Sequence, residues 1–260
     1  MGLQKPFHRI FREFIKSNNS GYSSWSYVVD KQYAKNPYHY TRAFLMIQED
    51  VQKLFEYIEP ADINLKTYSH RIHELLMRIC IEVEANFKAI LRENIYSPTS
   101  KQGKSIPHEK WNINDYSKIN ISHRLDGYIV ELPLWNGKQS KYQPFKEWEN
   151  NGSLSWYQAY NKCKHDRNEN FELANLQNLL AAFAGLFALL SSQFGTQDFE
   201  PGSTFLSMEG GGYYEGSFGI GGYLKIEFPS NWPDHEKHNF DWSVLKLQSE
   251  RFEKFDYNST

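Results

Sequence analysis

The chain has 260 residues, of which 40% are hydrophobic and 16% aromatic, and its formal net charge is -2. Each aromatic ring buries a large area, so this composition predicts a folded globular protein of one large or two small domains and excludes a disordered chain. The near-neutral charge excludes bulk attraction to nucleic acid or to a membrane, and any such site must be a local patch.

Cellular location is indicated by the cysteines and by the apolar runs. Cys80 and Cys163 fall within predicted helices far apart in the sequence, so no disulfide framework is expected and a cytoplasmic location is the simpler interpretation. Residues 1–20 lack the apolar segment of a signal peptide. The longest apolar run, residues 179–190, is too short to span a bilayer, so a buried core helix and no membrane association are expected.

Three amphipathic patterns occupy the first part of the chain. Residues 5–16 carry apolar side chains at helical spacing and predict a short N-terminal helix, followed by an irregular segment over residues 18–35. A second helix is predicted from Tyr38 to about Ile58, before Pro60. The third helix is predicted over residues 65–95. Its apolar face consists of Ile72, Leu75, Leu76, Ile79, Val83, Phe87, Ile90 and Leu91.

The middle of the chain leads to a pair of helices of opposite character. Residues 97–110 predict a surface loop, residues 114–119 a short helix and residues 128–134 a strand. A polar helix is predicted through Trp156 to Arg167, with Ser153 or Ser155 as its N-cap. After a turn at residues 168–170, a strongly apolar helix is predicted to end near Gly195.

The last part of the chain predicts a small β appendage. Seven glycines lie among aromatic residues between positions 210 and 222, and residues 223–228 alternate like a strand. No Gly-Lys-Ser/Thr follows, so a hairpin or small sheet over residues 205–228 is favoured over a phosphate loop. The predicted fold is therefore mainly α, with an N-terminal helix and arm (1–36), a helical bundle (37–195) and a β appendage with a tail packing on the bundle (196–260).

The polar helix carries the strongest candidate site. Asn161 lies one helical turn before His165, and three cations surround the pair: Lys162, Lys164 and Arg167. An imidazole moves protons near neutral pH and cations neutralise phosphodiesters, so these side chains suit RNA cleavage without a metal. The alternative is a solvated helix end, where cations are favoured by the helix dipole.

The segment Tyr160-Asn161-Lys162-Cys163-Lys164-His165-Asp166, on a helix followed by an apolar helix, resembles the signature of the HEPN superfamily (higher eukaryotes and prokaryotes nucleotide-binding domains). The resemblance implies a helical bundle in which paired protomers form one cleft. Many such proteins are metal-independent ribonucleases of defence or toxin–antitoxin systems, and others are inactive binding modules. It also implies that His165 is catalytic with Asn161 as its polar companion, although Tyr160 stands where active members carry arginine.

The long third helix is similar to the bundle helix that carries an acidic residue near this motif. Glu82 or Glu84 is therefore expected beside His165, where a carboxylate raises the proton affinity of an imidazole. The alternative is that both glutamates form pairs along their own helix, with Arg78 and Lys88.

Three functions remain open at this point. The first is a homodimeric, RNA-directed, metal-independent endoribonuclease without a cofactor, and the second is an inactive module that binds a nucleotide, RNA or a protein. The third is a structural bundle with no site.

His70, His73 and Glu74 have helical spacing for a metal, but no remote third ligand is evident, so an exposed helix face is favoured. His235 and His238 are interpreted as a polar loop.

Overall fold

The computed structural model describes residues 2–199 and 217–259. Its α-helices are α1 (Ser20–Ser26), α2 (Pro37–Leu54), α3 (His70–Glu93), α4 (Ile113–Tyr116), α5 (Asn120–His123), α6 (Ser155–His165), α7 (Arg167–Asn170), α8 (Leu176–Phe194) and α9 (Trp242–Leu245). Its strands are β1 (Ile129–Glu131), β2 (Lys141–Tyr142), β3 (Ser217–Phe218) and β4 (Lys225–Glu227). Short 3-10 turns connect several of them. A mainly α protein with a small sheet is thus confirmed.

The centre of the core is α8, which packs against α2, α3, α6 and β1. It begins where the Asn175 side chain accepts a hydrogen bond from the backbone N–H of Asn178, and it ends at Gly195, whose positive φ of 61° suits glycine. By length and composition α8 could cross a membrane, but 83% of its apolar window is buried inside the protein. This burial fits the core helix of a soluble protein.

The two long helices before α8 form as predicted, with different ends. The side chain of Ser69 accepts a hydrogen bond from the N–H of Ile72, so α3 begins at His70 and not at residue 65. Pro37 occupies the first turn of α2, where its missing N–H costs nothing, and α2 ends at Leu54, ahead of Pro60. The predicted apolar face of α3 is buried throughout.

The predicted N-terminal helix at residues 5–16 is wrong. This segment is extended and bridges the C-terminal part of the chain, with Phe7 beside Glu253 and Phe14 beside His238. Arg9 has a φ of 59°, which no right-handed helix accommodates. The guanidinium of Arg9 is fully buried, and its Nε donates to Glu93 at 2.8 Å. A helix forms instead at α1, inside the segment predicted to be irregular.

The junction of α6 and α7 also differs from the prediction. The first residue of α6 is Ser155, and neither Ser153 nor Ser155 caps it, because the N-cap position is Leu154 without a side-chain bond. The helix breaks at Asp166, whose carboxylate accepts the N–H of Glu169 and so begins α7. The predicted turn at residues 168–170 is therefore helical, and the true break lies two residues earlier.

The four strands form one antiparallel sheet in the order β2-β1-β4-β3. Val130 of β1 pairs with Tyr142 of β2 and with Ile226 of β4, and all three side chains are buried. The sheet therefore joins β1 and β2, which lie in the region predicted to be a helical bundle, to β3 and β4 near the C-terminus. β3 and β4 lie within the hairpin predicted over residues 205–228, while residues 205–216 lie outside the described residues.

Candidate functional site

The candidate residues lie on the solvent side of α6. The other side of the helix packs against α3 and α8 and consists of Trp156, Tyr157, Ala159, Tyr160 and Cys163. Gln158, Lys162 and His165 are exposed and Asn161 is half-buried. Residues three, four and seven positions apart share one side of a helix. These four side chains therefore form one row, which we call the polar stripe of α6.

The proposed catalytic pair, Asn161 and His165, is adjacent on this stripe, as the spacing predicts. Neither side chain makes a hydrogen bond to another residue of the described part of the chain. Both are therefore free to contact a ligand from solvent. Lys162 lies on the same stripe and is exposed.

An open depression of about 460 Å³ lies at the end of the polar stripe. His165, Lys164 and Arg167 line it, so three of the predicted site residues come together there. The break at Asp166 turns the chain between His165 and Arg167, which places both side chains around the same space. Two cations beside an imidazole make this depression suitable for a phosphate group.

A second imidazole belongs to the same depression, and sequence reasoning missed it. His73, on α3, lines the depression together with His165. Its Nε2 atom is buried and has no hydrogen-bond partner within the described residues. Burial lowers the pKa of His73, and the charges of Arg167 and His70 lower it further. His73 is therefore held in its neutral form, the state in which an imidazole accepts a proton.

Glu84 does not lie beside His165. Its Oε1 accepts hydrogen bonds from the hydroxyls of Tyr157 at 3.0 Å and Tyr160 at 3.2 Å. Lys88, one turn along α3, places its Nζ 4.0 Å from Oε2. The predicted pair along the helix is thus present, and the carboxylate is engaged by α6 at the tyrosines and not at the histidine.

Tyr160, which the resemblance to HEPN proteins aligns with their arginine, is a buried neutral side chain, 2% exposed. Its ring also lies under Lys164, whose Nζ is 5.2 Å from the ring centroid, a cation–π contact. Burial and the Glu84 carboxylate raise the pKa of Tyr160. At this position the chain therefore presents a hydroxyl bound to a carboxylate where an arginine would present a cation.

Glu82 faces a different part of the protein. Burial raises the pKa of Glu82, while the charges of His39 on α2 and of Arg78 act in the opposite direction. Arg78 does not pair with Glu82 along the helix, because its Nη1 binds Asp50 at 2.5 Å. Glu82 therefore contributes nothing to the depression around His165.

His70, His73 and Glu74 do not form a metal site in the structure. Among residues 2–199 and 217–259, no group of three or more His, Cys, Asp and Glu side chains lies together in a way that could hold a metal. The ring of His70 instead packs against Phe171 at a tilt, with ring centroids 4.8 Å apart. His73 is half-buried in the depression, so the expectation of an exposed helix face holds for His70 and Glu74 but not for His73.

No family model, no curated protein and no solved structure matches the chain. The assignment of a function therefore depends on the chemistry of these residues and on the motif.

Proposed function

We propose that the chain is a HEPN-like, RNA-directed, metal-independent endoribonuclease that works as a cytoplasmic homodimer in a defence or toxin–antitoxin type system. The observation that carries the proposal is the depression in which His165 and His73 meet Lys164 and Arg167. Phosphodiester cleavage by the ribose 2′-OH without a metal is promoted by a general acid, a general base and positive charge near the phosphate, which two imidazoles and two cations can supply.

In this mechanism each side chain has a separate task. Neutral His73 takes the proton of the 2′-OH, and the 2′ oxygen attacks the adjacent phosphorus. His165 gives a proton to the departing 5′ oxygen, so the products are a 2′,3′-cyclic phosphate and a 5′-OH. Lys164 and Arg167 stabilise the charge that develops on the phosphate oxygens. Asn161 orients the phosphate or the imidazole from the preceding turn of α6.

The experiment is cleavage of single-stranded RNA in EDTA by wild type, His165→Ala and His73→Ala. Loss of a general acid or base lowers a rate by about 10²- to 10⁴-fold, and we expect a loss of this size in both variants. His235→Ala is the matched control, because that imidazole is 73% exposed and lies outside the depression. Wild-type cleavage that both substitutions leave unchanged would contradict this site, and absence of any cleavage would contradict the enzyme.

A second candidate function is favoured by Tyr160. The Tyr160 hydroxyl, which donates a hydrogen bond to Glu84, stands where active HEPN proteins carry a cation. This difference favours an inactive HEPN-like module that binds a nucleotide, RNA or a partner protein. In that case wild type binds RNA without cutting it, and Tyr160→Arg creates or increases cleavage. Cleavage by the native chain at an enzymatic rate that depends on His165 rules this candidate out.

A further inference from the structure

A second cavity, of about 420 Å³, opens at the other end of α6. Its walls come from α4, from the segment around α5, from the turn before α6 and from the first turns of α6 itself. Gln158 is the α6 residue that lines it. The cavity is separate from the depression around His165, and the proposed cleavage mechanism does not use it.

The lining of this cavity is rich in side-chain amides. Asn114, Asn151 and Gln158 contribute amides that make no hydrogen bond within the described residues. Each uncharged amide can donate two hydrogen bonds through its NH2 group and accept two through its oxygen. Such groups match the donor and acceptor edges of a nucleobase better than they match a phosphate.

An apolar surface accompanies the amides. Trp148 lines the cavity, is only 6% exposed, and is held by packing on Phe87 and Phe145. Ile121, also in the lining, is 55% exposed. Proteins recognise unpaired RNA bases by combining a flat apolar or aromatic contact with hydrogen bonds to the base edges.

The polar stripe of α6 connects the two cavities. Gln158 and His165 are seven residues apart, so they lie on the same side of α6 and about 10 Å apart along its axis. Asn161 and Lys162 lie between them on the same stripe. A di- or trinucleotide laid along this stripe would therefore place one nucleoside at Gln158 and a phosphate at His165.

We infer that the Gln158 cavity is a base-recognition pocket, which takes an unpaired nucleobase of the RNA whose backbone lies at His165. This inference rests on the proposed RNA-directed function and adds that binding and cutting depend on the identity of a base near the scissile phosphate. The pocket supplies the discrimination between bases, and Lys162 supplies attraction to the backbone that is the same for every base.

The test measures binding without cleavage, by fluorescence anisotropy of short dye-labelled 2′-O-methyl oligonucleotides, one for each base, with the His165→Ala protein. The blocked 2′ oxygen prevents reaction. We expect one base to bind at least about tenfold more tightly than the others, as hydrogen-bonded readout allows. Gln158→Leu and Asn114→Leu remove amides at nearly constant size and should abolish this preference. Lys162→Ala should weaken the binding of all four oligonucleotides by the same factor.

Gln52→Leu, an exposed glutamine of α2, is the matched control and should keep the preference. A preference that survives both amide substitutions, or binding without preference, overturns the pocket while RNA cleavage can still hold. Absence of binding to any oligonucleotide overturns the pocket and the RNA-directed function together. A pocket-dependent preference without cleavage of natural RNA supports the pocket and contradicts only the enzyme. Tight binding of free mononucleotides alone overturns RNA recognition at the pocket.

Discussion

At the scale of single residues, the two imidazoles of the depression differ in their surroundings. His165 is exposed at the end of α6, whereas His73 is half-buried on α3 with an unpartnered Nε2. Burial disfavours the charged form of a histidine, and a neighbouring cation disfavours it further. The environment of His73 thus suits a proton acceptor, which is the role assigned to it.

Arg167→Gln should raise the pKa of His73 toward its ordinary value, because it removes a positive charge that lowers this pKa. The acidic limb of the pH–rate profile should move to higher pH in the same variant, since His73 would take up its proton earlier. NMR titration of the histidine ring signals, in the absence of RNA, measures the first effect. Lys162→Gln removes an exposed cation outside the depression and should leave the pKa of His73 in place. An unchanged titration in Arg167→Gln would contradict the electrostatic contact.

At the scale of elements, the break between α6 and α7 shapes the depression. Asp166 leaves the helical conformation and caps α7 through the N–H of Glu169 at 3.2 Å. The thiol of Cys163 donates to the carbonyl of Asn170 and links the two helices. A continuous helix would carry Arg167 further along the same axis, away from the space that His165 lines.

Asp166→Ala should lower the free energy of unfolding by about 1 kcal/mol, the usual contribution of an N-cap. RNA cleavage should fall as well, because the start of α7 positions Arg167. Asp166→Asn keeps a capping oxygen and is the matched control, with stability close to wild type. Urea denaturation and the EDTA cleavage assay check the two effects. Equal stability of Asp166→Ala and Asp166→Asn would show that the cap contributes nothing.

At the scale of the whole molecule, the two ends of the chain are bound into the core together. The extended N-terminal segment bridges residues near the C-terminus, and buried Arg9 ties it to Glu93 at the end of α3. Arg9 also donates to the Gln193 side chain of α8 at 2.9 Å. Removing one member of a buried ion pair leaves an uncompensated charge, which costs more than the pair contributes.

Arg9→Met should therefore lower the free energy of unfolding by about 3–5 kcal/mol, as measured by urea denaturation. Lys53→Met is the control: it breaks an ion pair with Glu49 in which both side chains are more than half exposed, and it should change stability little. Equal effects of the two substitutions would contradict the structural role given to Arg9. The double variant Arg9→Met with Glu93→Gln should recover part of the loss, because no charge remains unpaired.

Stability should fall as the pH drops below about 6.5, the ordinary pKa of histidine. Burial lowers the pKa of His123 to about 3 and that of His238 well below its ordinary value. Below pH 6.5 the unfolded chain binds protons at both residues, whereas folded His123 stays neutral until the pH approaches 3, so unfolding is favoured as the pH falls. Each residue contributes up to about 1.4 kcal/mol per pH unit.

Thermal denaturation between pH 7.5 and 4.5 measures this dependence. His123→Gln should flatten the curve, even if the variant is less stable throughout, because one proton-binding difference is lost. His235→Gln, at an exposed histidine, should leave the slope unchanged. A slope that is the same in all three proteins would contradict neutral His123 in the folded state.

Much of the helical framework could be predicted, because the spacing of apolar residues along the chain indicates which face of a helix is buried. The apolar faces of α2 and α3 follow from side-chain periodicity, and the strongly apolar composition of α8 predicts a core helix. The polar stripe of α6 follows from the positions of Asn161 and His165. The same periodicity was misleading at residues 5–16. An extended segment, in which Arg9 has a positive φ, packs its aromatic side chains Phe11 and Phe14 against the core instead.

Sequence by itself determined which faces are apolar and where the chemistry-bearing residues of α6 lie. Tertiary structure alone decided their partners: His73 joins His165, Glu84 binds Tyr160, and His238, expected in a polar loop, is fully buried among aromatic rings. The physical reason is that spacing along a chain fixes the side of an element on which a residue lies. Which other element packs against that side depends on the burial of the whole core, which no local pattern contains.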